Sequence, residues 1–205
     1  MRQDIFIVDD FYNNPDDVVD YANQLEWTQE AGRNHFMRTV GIPDVSLIPY
    51  LEEITGHHLI HDEYAWTSTN DVENFNCSYY KLVQGDEHTQ PNWIHHDWTT
   101  WTGMIYLSKD VPAEYGTSLW RHKPTGQDAT KWRSGYYPDG GNENDWFDPL
   151  TKNHKREWEK TDTFAYKYNR LVLFKGSMYH SVNVPDGPAK YERLNQLLYF
   201  NSEEG

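Results

Sequence analysis

From about residue 72 onward the sequence breaks into short apolar stretches of strand length, each closed off by turn residues. The stretches run from Asn74 to Val83, Trp101 to Leu107, Ser118 to Arg121, Leu171 to Phe174, Tyr179 to Val184 and Leu194 to Phe200. Gln84-Gly85-Asp86, the Gly-rich stretch near Pro138 and Pro185-Asp186-Gly187-Pro188 punctuate them. Many short strands with turn chemistry between them pack as a sandwich or jelly roll.

Helical signals stand in front of this region. Ile5 to Val8 reads as a strand, and Asn14-Pro15-Asp16-Asp17 then combines a capping Asn, a Pro at the first helical position and acids in the first turn. Val18, Ala22 and Leu25 recur at helical spacing, so one face of that helix packs inward. A second helix is predicted after Pro43, through Val45, Ile48 and Leu51, stopping at Gly56. The expected fold is therefore mainly β with flanking α-helices: a double-stranded β-helix (jelly roll) core over 72–200, preceded by a strand and helices in 1–70. The polar, Gly- and Pro-marked stretch from about 124 to 168 is too long for a plain connection and reads as an insertion.

Neither a repeat nor a linker divides the chain, and 205 residues suit one domain, 1–205, with a core of its own. Nine Trp and 16% aromatic residues are far more than a disordered chain carries. The single cysteine, Cys77, rules out an internal disulfide and suits a reducing compartment; on a strand it reads as a small buried hydrophobe. No apolar run reaches the ~18 residues of a membrane span. The net charge of −14 argues against nucleic acid and anionic membranes as partners. The expectation is a soluble, cytoplasmic protein. Arg121 to Arg170 holds ten Lys and Arg against eight Asp and Glu, so the acidity lies elsewhere.

Trp93-Ile94-His95-His96-Asp97 is the stretch with chemistry in it. On a strand, residues i and i+2 point to one side, so His95 and Asp97 can grip one ion while His96 faces away. A third ligand has to come from another strand, and His180, after Leu171 to Tyr179, is the best candidate. Two imidazoles and one carboxylate on one face of an octahedron leave three positions open. Iron(II) oxygen chemistry uses them for a chelating keto acid and dioxygen. Histidine-x-aspartate alone arises often by chance. Arg193 adds weight, because a guanidinium opening the apolar strand Leu194 to Phe200 is awkward unless it meets an anion, and its fork suits a carboxylate.

In order along the chain, Tyr80 to Gly85, His95-His96-Asp97, Thr102 to Leu107, Asn169 to His180, and Arg193 followed by Tyr199-Phe200 resemble the motifs of the prolyl-4-hydroxylase-like branch of the iron(II)/2-oxoglutarate dioxygenases. The resemblance covers roughly residues 74 to 200. It implies that His95, Asp97 and His180 ligate iron(II), and that Arg193 pairs with the distal carboxylate of 2-oxoglutarate, helped by the Tyr106 hydroxyl. Tyr80 would line the same pocket. It further implies dioxygen as co-substrate, succinate and carbon dioxide as products, and hydroxylation of a small-molecule or peptide substrate. The chain departs from the family where Gly116-Thr117-Ser118-Leu119 stands in place of a Gly-Gly-acid sequence, and in its long aromatic insertion. Both departures bear on the substrate. Asp97 favours hydroxylation, since related halogenases lack this carboxylate.

Two other readings compete. A carbohydrate-type jelly-roll binding module has no need of Arg193, and a cupin-like metalloenzyme usually has a second His where Asp97 stands. Other histidines attract attention. His57, His58 and His61 look like a metal cluster but read as surface or packing residues, and His88 and His122 are candidates for substrate contact. Trp93, Trp98 and Trp101 flank the iron motif, as core or as pocket wall. Lys190 is the alternative anchor to Arg193. The 124–168 stretch, with Trp132, Tyr136, Tyr137, Trp146, Phe147 and Trp158, is expected to form a lid or wall over the site.

Overall fold

The computed structural model describes residues 4–28, 37–39, 41, 44–60, 75–83, 94–97, 99–130, 155–183 and 190–203. Among the described residues nine strands form two antiparallel sheets: β1 (Ile5–Val8), β2 (Met37–Arg38), β3 (Phe75–Leu82), β4 (Trp101–Tyr106), β5 (Thr117–His122), β6 (Trp158–Phe164), β7 (Leu171–Lys175), β8 (His180–Val182) and β9 (Arg193–Phe200). The larger sheet has the order β1-β7-β4-β9-β3-β2, and the smaller one β6-β5-β8. These are the opposed sheets of the expected jelly roll.

Both faces of the larger sheet are covered, which is why its strands read as continuous apolar runs rather than as alternation. Trp101, Ile105, Leu171, Leu173, Leu198 and Phe200 point one way and pack with Ala22, Leu47, Ile48 and Leu51. Those four belong to helix α1 (Pro15–Gln24), the 3-10 turn Val45–Leu47 and helix α2 (Ile48–Thr55). Met104, Tyr106, Val172 and Phe174 point the other way and meet Leu119 and Phe164 of the smaller sheet. Arg193, Tyr106 and Tyr80, expected to line the site, lie on this second, inter-sheet face.

The helix ends follow the sequence signals in part. Pro15 opens α1 and Asp16 and Asp17 sit in its first turn, where carboxylates oppose the helix dipole. Asn14 occupies the N-cap, but its side chain makes no cap hydrogen bond; only its carbonyl accepts from Asp17 N–H at 3.2 Å. Gly56 ends α2 at φ +70°, a conformation glycine adopts without strain, and its N–H donates to Glu52 O at 2.8 Å.

Two strands differ from expectation, β6 and the two-residue β2. The stretch treated as an insertion contains β6, paired along its length with β5. Trp158 and Phe164 are buried at its two ends while the residues between them are polar and mostly exposed, so no apolar run announces the strand. Residues 131–154 lie outside the described residues, and with them the lid expected from Trp132, Tyr136, Tyr137, Trp146 and Phe147. Among the described residues no helix is long and apolar enough to cross a membrane.

Candidate metal centre

The stretch holding His95 and Asp97 was expected to be a regular strand, and it is less than that. It is extended chain tied at two points to the segment that carries His180. His95 and His180 form an isolated antiparallel bridge, with N–H to O distances of 3.0 and 2.8 Å in the two directions. Asp97 N–H then donates to Gly176 O at 2.8 Å. Gly176 must be a glycine here: a Cβ would lie 2.3 Å from Thr99 O.

These bonds bring the three side chains together. One ligand atom from each of His95, Asp97 and His180 lies within 4.8 Å of the others. His180 Nε2 is 3.2 Å from Asp97 Oδ2, and His95 Nε2 is 3.9 Å from Asp97 Oδ1. The two imidazole rings are 4.3 Å apart, and Phe174 packs edge-on against His180 at 4.8 Å. His96 points elsewhere, its ring against Tyr179 at 6.2 Å, as the strand periodicity requires.

The donor set suits a divalent cation. His180 Nδ1 is 2.9 Å from Met178 O, and a carbonyl only accepts, so Nδ1 carries the proton and donates. In a neutral ring the Nε2 lone pair then faces the Asp97 carboxylate, acceptor against acceptor, and a cation between them resolves that repulsion. A histidine ligand oriented by a carbonyl on its other nitrogen is a recurrent metal-site feature. Burial acts to raise the Asp97 carboxyl. When the rings are instead protonated on both nitrogens, the charge and hydrogen bond of His180, the charge of His95 and the Thr102 hydrogen bond outweigh it and hold the group well below the usual carboxylate range. Nitrogen and oxygen ligands in a two-histidine, one-carboxylate set match the preference of iron(II).

Arg193, Tyr106 and Tyr80 share the inter-sheet face. In the ladder Tyr106 and Tyr80 both stand opposite Asn195, on either side of β9. Arg193 is 2% exposed, with its guanidinium 5.4 Å from the Tyr106 ring and 5.3 Å from the Tyr166 ring. It donates from Nε to Asn195 Oδ1 and from Nη1 to Gly116 O, both at 3.3 Å. Among the described residues no carboxylate pairs with it. The Tyr106 hydroxyl donates to Thr117 Oγ1 at 3.0 Å, so the departure at Gly116-Thr117 lies beside the predicted pocket. Burial raises the Tyr106 hydroxyl, with Arg193 opposing. Lys190, the alternative anchor, is exposed and lines a surface groove with Asp16, Lys109 and Tyr168.

The remaining candidates divide plainly. His122 is buried, bonded through Nδ1 to Thr125 Oγ1 at 2.9 Å and packed on Trp158, and so belongs to the smaller sheet's framework. His57 lies beyond the end of α2, its ring 6.3 Å from Trp101; His58 is exposed beside Glu52. Trp101 is fully buried core. Cys77 is buried too, and that burial pushes its thiol up to about 12. His61, His88, Trp93 and Trp98 lie outside the described residues. Gly176 and Tyr166 carry no signal in the sequence because their partners, Asp97 and Arg193, are distant along the chain, while the Met178 carbonyl and Asn195 are two residues from His180 and Arg193 and become partners only through the local turn of the chain.

A family model described as a family of unknown function, DUF6445, matches residues 1–193. No curated protein matches the chain. Among solved structures, the non-haem α-ketoglutarate-dependent epimerase SnoN from nogalamycin biosynthesis is similar at TM-score 0.52 and 12% identity, over 98% of this chain and 79% of that one. A prolyl 4-hydroxylase of Phytophthora capsici is similar at TM-score 0.50 and 12% identity, over 98% of this chain and 59% of that one. A 2OG-Fe(II) oxygenase family oxidoreductase from Burkholderia pseudomallei follows at TM-score 0.49 and 8% identity, over 95% and 82%. At such identities the likeness is one of fold, and the fold is the jelly roll of the 2-oxoglutarate–iron(II) oxygenases.

Proposed function

The chain belongs to the DUF6445 family, and we propose that it is an iron(II)- and 2-oxoglutarate-dependent dioxygenase hydroxylating a small molecule or peptide. One juxtaposition carries this reading. A two-histidine, one-carboxylate cluster shares the inter-sheet face with a buried guanidinium that no acidic side chain neutralises among the described residues. Burying a cation costs several kcal/mol unless an anion meets it. A dicarboxylate co-substrate that chelates at one end and forms an ion pair at the other satisfies both features at once. A carbohydrate-binding module calls for neither.

In this reading His95, Asp97 and His180 hold iron(II), with the His180 ring oriented by the Met178 carbonyl. When bound, iron(II) with 2-oxoglutarate and dioxygen supplies an oxidant for a C–H bond, with succinate and carbon dioxide released. The chain's own part is positioning and shielding. Arg193 offers its fork to the distal carboxylate, and the Tyr106 hydroxyl beside it becomes a second donor by turning its one proton from Thr117 Oγ1 to that carboxylate. Buried Phe174, Met104 and Val172 keep the wall between the two ends dry, which strengthens both electrostatic contacts.

The test is a metal titration followed by turnover. The purified protein should bind about one Mn(II) or Fe(II) per chain. With Fe(II) it should convert 2-oxoglutarate to succinate while adding one oxygen mass to a component of a metabolite or peptide pool. Asp97→Ala should lose metal binding and turnover together. A folded wild-type protein that takes up no metal, or an Asp97→Ala variant that behaves as wild type, would refute the assignment.

A further inference from the structure

Thr102 is the second residue of β4 and lies on the inter-sheet face, opposite Phe174 on one side and Tyr199 on the other. It is 1% exposed. A valine would serve a buried strand position equally well, and a buried hydroxyl without a partner is costly. The hydroxyl is there for something. It donates to Asp97 Oδ2 at 2.6 Å, a short, charge-assisted bond.

The same oxygen is the one that lies 3.2 Å from His180 Nε2, while Oδ1 faces His95 at 3.9 Å. The terminal torsion of an aspartate is broad and intrinsically loose. Backbone bonds fix where Asp97 starts, through its N–H on Gly176 O. They do not fix how its carboxylate is turned. The Thr102 hydroxyl does, by holding one oxygen from the β4 side so that the plane of the carboxylate faces both imidazoles.

We propose that Thr102 is the positioning residue of the metal centre, orienting the Asp97 carboxylate for a divalent cation through its side-chain hydroxyl. This rests on reading His95, Asp97 and His180 as metal ligands. The role belongs to the hydroxyl rather than to the residue's bulk, so serine retains it and valine, with the same shape, does not.

The experiment measures metal affinity and geometry without turnover. Apo protein is titrated with Mn(II), following free Mn(II) by electron paramagnetic resonance, and the visible bands of the Co(II)-loaded protein are recorded. Outer-shell partners of metal ligands are typically worth about 10- to 100-fold in affinity. Thr102→Val should weaken Mn(II) binding by that order and shift the Co(II) bands, whereas Thr102→Ser should keep both wild-type. Thr102→Ala, which also lacks the donor, is read in the same way if the valine variant gives no cooperative thermal transition. A valine or alanine variant with wild-type affinity and an unchanged Co(II) spectrum overturns the inference and leaves the metal centre standing. So does a serine variant as impaired as valine, since bulk would then be what matters. Wild-type protein that binds neither ion overturns the metal reading itself, and the inference with it.

Discussion

Replacing Arg193 by Met should leave the apo protein as stable as before, or more so, while removing its response to 2-oxoglutarate. Arg193 is 2% exposed and no carboxylate pairs with it among the described residues, so its charge is a burden on the apo fold. That burden is on the order of several kcal/mol. Two aromatic rings at 5.4 and 5.3 Å and two 3.3 Å hydrogen bonds offset part of it. Methionine fills the space without charge but leaves Gly116 O and Asn195 Oδ1 short of a donor, at about 1–3 kcal/mol. These effects nearly cancel, so the apo variant should melt close to wild type. With co-substrate the balance changes. A charge-assisted bidentate contact is worth about 2–4 kcal/mol, or roughly 30- to 1,000-fold in affinity. The assay is a thermal shift of the Mn(II)-loaded protein with 2-oxoglutarate at about 100 times its wild-type Kd, a concentration that stabilises by about 2.7 kcal/mol. For a domain of this size that is a rise of about 5–11 °C. A variant weakened about 100-fold sits at its own Kd and gains only about 0.4 kcal/mol, a rise of about 1 °C. A Met variant that keeps the full wild-type shift would refute Arg193 as the anchor, and Lys190 would be tested next.

Three further outcomes are expected. Gly176→Ala puts a Cβ 2.3 Å from Thr99 O, so it should displace the loop that holds Asp97 and weaken Mn(II) binding in a protein that still melts cooperatively; unchanged metal affinity would contradict it. Trp101→Ala removes a fully buried side chain that stacks on Phe200 and donates to Ser202 Oγ at 3.1 Å, and should cost about 3–5 kcal/mol by urea denaturation. Hydrogen bonds from Arg170 and Lys167, helped by their charges, hold the Asp9 carboxyl well below its usual range. Because the folded state favours the ionised form, this contribution is complete above the unfolded pKa of about 4 and is lost as pH falls below it. Asp9→Asn should therefore lower Tm at pH 7 and progressively less at acid pH; a difference that does not vary with pH would contradict the ion-pair account.

Local pattern in the sequence marks β1, both helices and most core strands, the helices by a face written in residues three to four positions apart and the strands by short apolar runs closed off by turn residues. Strand alternation places His95 and Asp97 on one side and His96 on the other. Arg193 stands out as a charge at the head of an apolar strand. The sequence is silent where the signal is not local. Strand β6 buries only its two ends, and β2 is two residues long, so neither carries a period to read. Tertiary structure alone decides that His180 meets His95 across a backbone bridge, that Gly176 ties down Asp97, and that the Thr102 hydroxyl reaches its carboxylate. It also decides that Arg193 is buried between Tyr106 and Tyr166 rather than exposed at a strand end. The physical reason is the same in each case. A side chain's direction follows from its own stretch of chain, but its partner follows from strand order and register, which the whole fold sets by burying both faces of the larger sheet at once.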